Sequence, residues 1–127
     1  TWAEVRFDET HGGRPARDWL HRQYLRHPAS ARFWRLRIAD PGPRRLFAWP
    51  VYDRGAMAVE SLRQRIGDEE FFSLLRQWTE QRRWGTATVE EFEVLAEQVS
   101  GEDLDAFFRA WLVDRRRPAR TPENGLL

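Results

Sequence analysis

Apolar residues recur three or four positions apart along most of this chain, which is the spacing of helix faces rather than of strands. Thr1 to Thr10 mixes good helix formers with aromatics, and His11-Gly12-Gly13 supplies a stop. Pro15 can open a helix. Trp19, Leu20, Tyr24 and Leu25 then keep a period near 3.6 until His27-Pro28, where helix is disfavoured. Val51, Ala58, Val59, Leu62 and Ile66 form one face of a helix over 51–66, with Gly67 after it. Asp68 is the expected N-cap of the next helix, whose stripe is Phe71, Phe72, Leu74, Leu75 and Trp78 and which runs to about Arg83. Thr88-Val89-Glu90-Glu91 has the form of a capping box, followed by Phe92, Leu95, Ala96 and Val99. Ser100 is the candidate N-cap of a last helix carrying Leu104, Phe107, Phe108, Trp111 and Leu112.

Two stretches break the pattern. Residues 29–50 hold Pro41-Gly42-Pro43 and Pro50, with Phe33, Trp34, Leu36, Ile38, Leu46, Phe47 and Trp49 scattered among polar residues. This reads as a long loop ordered by burying its aromatics, with a helical turn at 29–35. A loop of that length in a compact domain is more often functional than a short one. Residues 114–127 lose the periodicity and are rich in polar and turn residues, so they are expected to form a disordered tail. The fold expected is all-α: roughly six helices in a helical-hairpin stack over 1–113. No fixed period recurs, so the stack is not a repeat array.

Composition narrows the function. The 127 residues are 41% hydrophobic and 13% aromatic, enough for one core. Net charge is +1, which argues against a nucleic-acid partner. Every basic residue is Arg, spread over the whole chain as a coding bias would leave it. There is no Cys, hence no disulfide, thiolate metal site or Cys nucleophile. No run of about 18 apolar residues is present, so no membrane span or membrane partner is expected. The start at Thr1-Trp2-Ala3-Glu4, already helical in character, has the look of a piece of a longer protein.

Few residues suggest chemistry on their own. His11, His21 and His27 are not arranged as HExxH, and His11 is placed to cap a helix C-terminus. No metal ligand is assigned in this chain. Neither a G-x-S-x-G elbow nor a phosphate-binding Gly loop occurs. The acids at 68–70, 90–91 and 102–103 fall at helix starts, where the macrodipole accounts for them. Tyr52 remains. It stands near a helix N-terminus in Pro50-Val51-Tyr52-Asp53-Arg54-Gly55-Ala56, before small residues that permit close approach by another segment. Spacing alone favours a packing role.

The surrounding order of residues adds a second reading. Tyr52-Asp53-Arg54-Gly55, then Ile66-Gly67-Asp68-Glu69-Glu70-Phe71-Phe72, Gly85-Thr86-Ala87-Thr88, Phe92, Val99-Ser100-Gly101-Glu102-Asp103-Leu104 and Phe107-Phe108-Arg109-Ala110-Trp111-Leu112 resemble the helical region of the zinc aminopeptidases of the aminopeptidase N family, the gluzincin metallopeptidases. Thr1 to Glu4 is similar to the residues just after that family's Asn-Glu-Gly-Phe-Ala segment. The likeness covers about 1–113, is weak over 29–48 and does not extend to the tail. It implies the C-terminal helical subdomain of a thermolysin-like metallopeptidase, with Tyr52 matching the tyrosine that stabilises the tetrahedral oxyanion. It also implies zinc in the parent enzyme, a peptide substrate, and an N-terminal zinc-bearing part of the same protein as partner. HExxH and the exopeptidase Gly-x-Met-x-Asn motif are missing from this sequence, and the third ligand is expected a few residues before Thr1. The fragment is therefore not expected to be active alone. Peptidase and epoxide-hydrolase members of the superfamily share this region. The alternative is a non-catalytic helical protein-interaction module built on exposed aromatics.

Overall fold

A computed structural model describes residues 1–127. It contains six α-helices and no strand: α1 Trp2–Thr10, α2 Ala16–Arg26, α3 Trp49–Ile66, α4 Asp68–Gln81, α5 Val89–Ser100 and α6 Asp105–Phe108. A 3-10 turn, Arg32–Arg35, interrupts the long loop. A π-helix, Arg109–Val113, continues α6, and a second 3-10 turn spans Pro122–Asn124. The all-α expectation holds. No helix is long and apolar enough to cross a membrane.

The helix α3 is the axis of the fold. It touches α1, α2, α4, the π-helix and the 122–124 turn. A helix with neighbours on so many sides has little polar face to spare, and nine of its 18 residues are buried, Glu60, Ser61, Arg54 and Arg63 among them. The core around it joins Leu20 and Trp34 to Met57 and Leu62, and those to Phe71, Leu74, Leu104 and Trp111. Each of these fully buried side chains removes enough apolar surface to contribute about 1.5–3 kcal/mol.

Of the polar groups buried with α3, Glu60, Arg63 and Arg54 are bonded to distant segments, while the Ser61 hydroxyl has no partner. Glu60 accepts from the Trp2 indole at 2.9 Å and from Gln64 Nε2 at 2.7 Å. Arg63 donates to Glu9 at 2.9 Å and to both Asp68 oxygens at 2.8 and 3.0 Å, so it ties α1 and α4 to α3. Hydrogen bonds from Arg63 hold the Asp68 carboxyl below its usual range, despite an opposing effect of burial. Arg54 is wholly buried with no carboxylate bonded to it. Its Nη1 donates to the Trp34 and Leu36 carbonyls at 3.1 and 3.0 Å, and its Nη2 to the Ala110 and Asp114 carbonyls at 3.0 and 2.7 Å. Burial pushes its pKa down to about 10, partly offset by the Asp114 charge, so the group stays cationic at neutral pH.

Three expectations are corrected. The N-cap of α4 is Gly67, because the Asp68 side chain is drawn back to Arg63. Ser100 closes α5: its hydroxyl donates to the Ala96 carbonyl at 2.7 Å and accepts from Glu102 N–H, while the last helix begins at Asp105. The capping box at Thr88 and Glu91 forms as read, with bonds of 2.9 and 3.2 Å.

The third correction is the tail. Residues 114–127 pack onto the helices. The Tyr24 hydroxyl donates to the Pro118 carbonyl at 2.8 Å, and the Trp111 indole to the Asn124 carbonyl at 3.1 Å. Arg117 lies over the Tyr24 ring at 4.0 Å, and Leu126 is fully buried. Gly125, at φ 65°, lies so close to α3 that a Cβ there would stand 2.0 Å from the Ser61 carbonyl oxygen. None of these anchors is periodic, so the sequence pattern misses them.

Arg54→Met keeps most of the volume but leaves four carbonyls without their donor, and should lower the unfolding free energy from urea denaturation by about 3–5 kcal/mol. Gly125→Ala meets both a left-handed φ and the α3 backbone, and should cost at least about 2 kcal/mol. Gly101→Ala has φ 71° but open space around the added Cβ. It should cost only about 1 kcal/mol; equal costs would mean that the Gly125 contact is unimportant.

Candidate functional site

The first turn of α3 carries the candidate. Ala48, extended at φ −69° and ψ 141°, is the N-cap, and Pro50 sits where a helix lacks a partner for its N–H. The helix thus starts before Val51, and Tyr52 lies at the end of the first turn. The two tyrosines differ sharply. Tyr24 is 4% exposed with its hydroxyl donated inside the fold, whereas Tyr52 is 49% exposed.

Positions 52, 55, 59 and 62 lie along one stripe of α3. Gly55, Val59 and Leu62 from that stripe meet Trp78, Phe92 and Leu112 across an open apolar groove of about 460 Å³. Trp78 and Phe92 pack edge to face at 5.2 Å and form its far wall. The small residues after Tyr52 part company here. Ala56 and Ala58 are buried as the close-approach reading expects, but a Cβ on Gly55 would meet nothing within 4 Å. Gly55 keeps the groove open beside Tyr52 instead of admitting another segment of the chain.

On the other side of the first turn lies an aromatic cluster. His27 stacks on Phe33 at 3.9 Å, and Trp49 meets both edge-on, at 5.2 and 5.6 Å. Phe33, Trp34 and Leu36 are buried as expected for the long loop, but Leu46, Phe47 and Trp49 are exposed, Phe47 by 83%. Trp84, in the loop between α4 and α5, is 97% exposed at φ 64°, and nothing in the structure explains it.

The groups able to bind a metal do not assemble a zinc centre. His11 Nδ1 lies 2.8 Å from the Phe7 carbonyl and caps α1, as read from the sequence. His27 is enclosed between rings. Glu97, Asp103 and Asp105 bring carboxylate oxygens within 4.8 Å of one another. However, Glu97 accepts from Leu104 N–H at 2.8 Å and Asp103 from Asp105 N–H at 3.1 Å, which fixes the turn into α6. Oxygen donors alone, already occupied by backbone, do not match the nitrogen and sulfur preference of zinc.

No protein-family model, curated protein or solved structure matches the chain.

Two features of this region escape sequence reasoning. The role of Arg54 depends on carbonyls far away in the chain. The groove wall of Trp78 and Phe92 is only half covered, and its placement opposite Gly55 has no signal in the sequence.

His27 gives a measurable handle on the cluster. Burial disfavours its imidazolium, the Arg26 charge adds to this, and Asp53 opposes it, so its pKa falls below the ordinary 6.5. The unfolded chain therefore takes up the proton first. The stability from neutral His27 is complete above about pH 6.5 and is lost as pH falls below it. A ¹H NMR titration should place the His27 midpoint under 6.5, and His27→Phe should weaken the pH dependence of stability there. A midpoint at or above 6.5 contradicts this environment.

Proposed function

We propose that the chain is the C-terminal helical part of a zinc metallopeptidase of the aminopeptidase type, in which it lines the substrate cleft and Tyr52 stabilises the oxyanion. The observation that carries the reading is the half-exposed Tyr52 one turn before Gly55, a residue that lines an open apolar groove. It belongs to the Tyr-Asp-Arg-Gly run on which the resemblance rests most heavily. Zinc and its ligands would come from residues outside this chain, in the zinc-bearing part that is its expected partner.

The chemistry asked of Tyr52 is limited and suited to a phenol. Attack on a peptide carbonyl places negative charge on its oxygen. A phenol hydroxyl can donate a hydrogen bond to that oxygen. Donation from a fixed position costs little reorganisation, and losing one such donor typically lowers kcat by about 10²–10³. The apolar groove beside the phenol would take a neighbouring side chain of the peptide and exclude water.

The groove also supports the alternative, a non-catalytic helical protein-interaction module in which it seats apolar side chains of a partner. That reading gives the Tyr52 hydroxyl no task. The test is Tyr52→Phe in a chain that includes an HExxH-bearing half, assayed on an aminoacyl-arylamide with zinc content measured. A fall of about 10²–10³ in kcat with zinc retained is expected. A change of only a few-fold removes Tyr52 from the mechanism.

A further inference from the structure

Six of the chain's 21 basic residues, but only one of its 20 acidic ones, fall in residues 26–45. The long loop is therefore a basic stretch of a nearly neutral chain. Three of its arginines share one concavity. Arg32 and Arg35 stand three apart on the 3-10 turn, where side chains at that spacing eclipse, so both lie on one side. The residues between them are anchored inward. Phe33 stacks on His27, and the Trp34 indole donates to the His27 carbonyl at 3.0 Å. Arg54 holds the Trp34 and Leu36 carbonyls, so the turn is fixed from beneath.

Arg45 faces the same concavity from the returning loop. Its own N–H is turned back to the Gly42 carbonyl at 3.0 Å, and its carbonyl accepts from Ala48 N–H at 3.1 Å. With Ser30, Ala48 and Pro50, the three arginines line an open hollow of about 680 Å³. The chain's ion pairs engage Arg6, Arg63, Arg65, Arg82 and Arg116, and none of the three in the hollow. Like charges held around one hollow repel, and an anion between them relieves this. The guanidinium fork matches a carboxylate in geometry as well as in charge. Ala48, in the wall of the hollow, precedes Tyr52 by four residues, about one helical turn or 6 Å along α3.

We infer that the hollow between the 32–35 turn and the 44–50 loop binds a carboxylate of an acidic peptide through Arg32, Arg35 and Arg45. The choice of a peptide as ligand rests on the peptidase reading; the anion site rests on the arginines. The carboxylate can come from a Glu or Asp side chain or from the C-terminus of a short peptide.

Four probes separate these sources in NMR titrations of the 127-residue chain that follow the arginine Nε–H signals. They are the N-acetylated peptides Ala-Ala-Glu-Ala amide, Ala-Ala-Gln-Ala free acid and Ala-Ala-Gln-Ala amide, and inorganic phosphate. At least one carboxylate-bearing peptide should shift Arg32, Arg35 and Arg45 and bind at least about 10-fold more tightly than the neutral amide, with affinity falling as salt rises. The Arg32→Gln/Arg35→Gln double variant should lose that preference, and Arg76→Gln, on the exposed face of α4, should keep it. Arg45→Gln, on a separate loop, repeats the test should the double variant unfold. Equal binding of the neutral peptide overturns the inference, as does a preference that survives the arginine substitutions. Phosphate that binds as tightly as the acidic peptides overturns the assignment to a peptide. The readout is binding, so carboxylate binding retained beside a failed Tyr52→Phe test would fault the catalytic reading alone.

Discussion

A guanidinium held in the core by four backbone carbonyls is the constraint on which the arrangement depends. Arg54 takes two of them from the loop before α3 and two from the π-helical segment at the other end of the chain. Neither segment has the regular pairing that would locate it unaided, and the charge cannot return to water without unfolding both. The constraint also sets the roll of α3. Residues two apart on a helix point about 200° away from each other. With Arg54 locked inward, Tyr52 is forced outward. The same residue that fastens the core therefore presents the phenol.

What surrounds that phenol is asymmetric. Along α3 in one direction runs the apolar stripe through Gly55, Val59 and Leu62, and one turn in the other direction lies the hollow with its three arginines. Both surfaces are attached to the same anchored turn, so their spacing is a property of the fold rather than of a mobile loop. A peptide lying across Tyr52 would meet an apolar wall on one side and a cationic one on the other. In the proposed reading this favours substrates with an apolar residue and an acid on opposite sides of the reacting carbonyl.

The parts of the fold legible from sequence are those decided locally. The capping box at Thr88 and Glu91 and the glycine after α3 each act within a turn of where they stand, and they place those helix ends to within a few residues. Asp68 shows the limit of that logic: a good N-cap residue went instead to Arg63, five residues back. The 114–127 segment was illegible because a close approach at Gly125, one buried leucine, two carbonyls and the Arg117–Tyr24 stack hold it, none with a period. Of the candidate site, Tyr52 was found through its motif, whereas the exposure of Leu46 and Phe47 and the grouping of Arg32, Arg35 and Arg45 needed the path of the loop. A net charge of +1 also hides the local excess of arginine in residues 26–45.

Trp2 and Gly125, far apart in sequence, make their contacts at neighbouring residues of α3: the indole bonds Glu60, and the glycine backbone lies against Ser61. The central helix is thus sealed at one level by both early and late segments. During synthesis, α3 would leave the ribosome with that level still open, and it would stay open until residues 125 and 126 emerged. Contacts of such long range are slow to form and leave apolar surface uncovered meanwhile. Closure of the core at this level then waits on residues far behind α3 in the chain, and loss of Gly125 and Leu126 would reopen the fold at its middle.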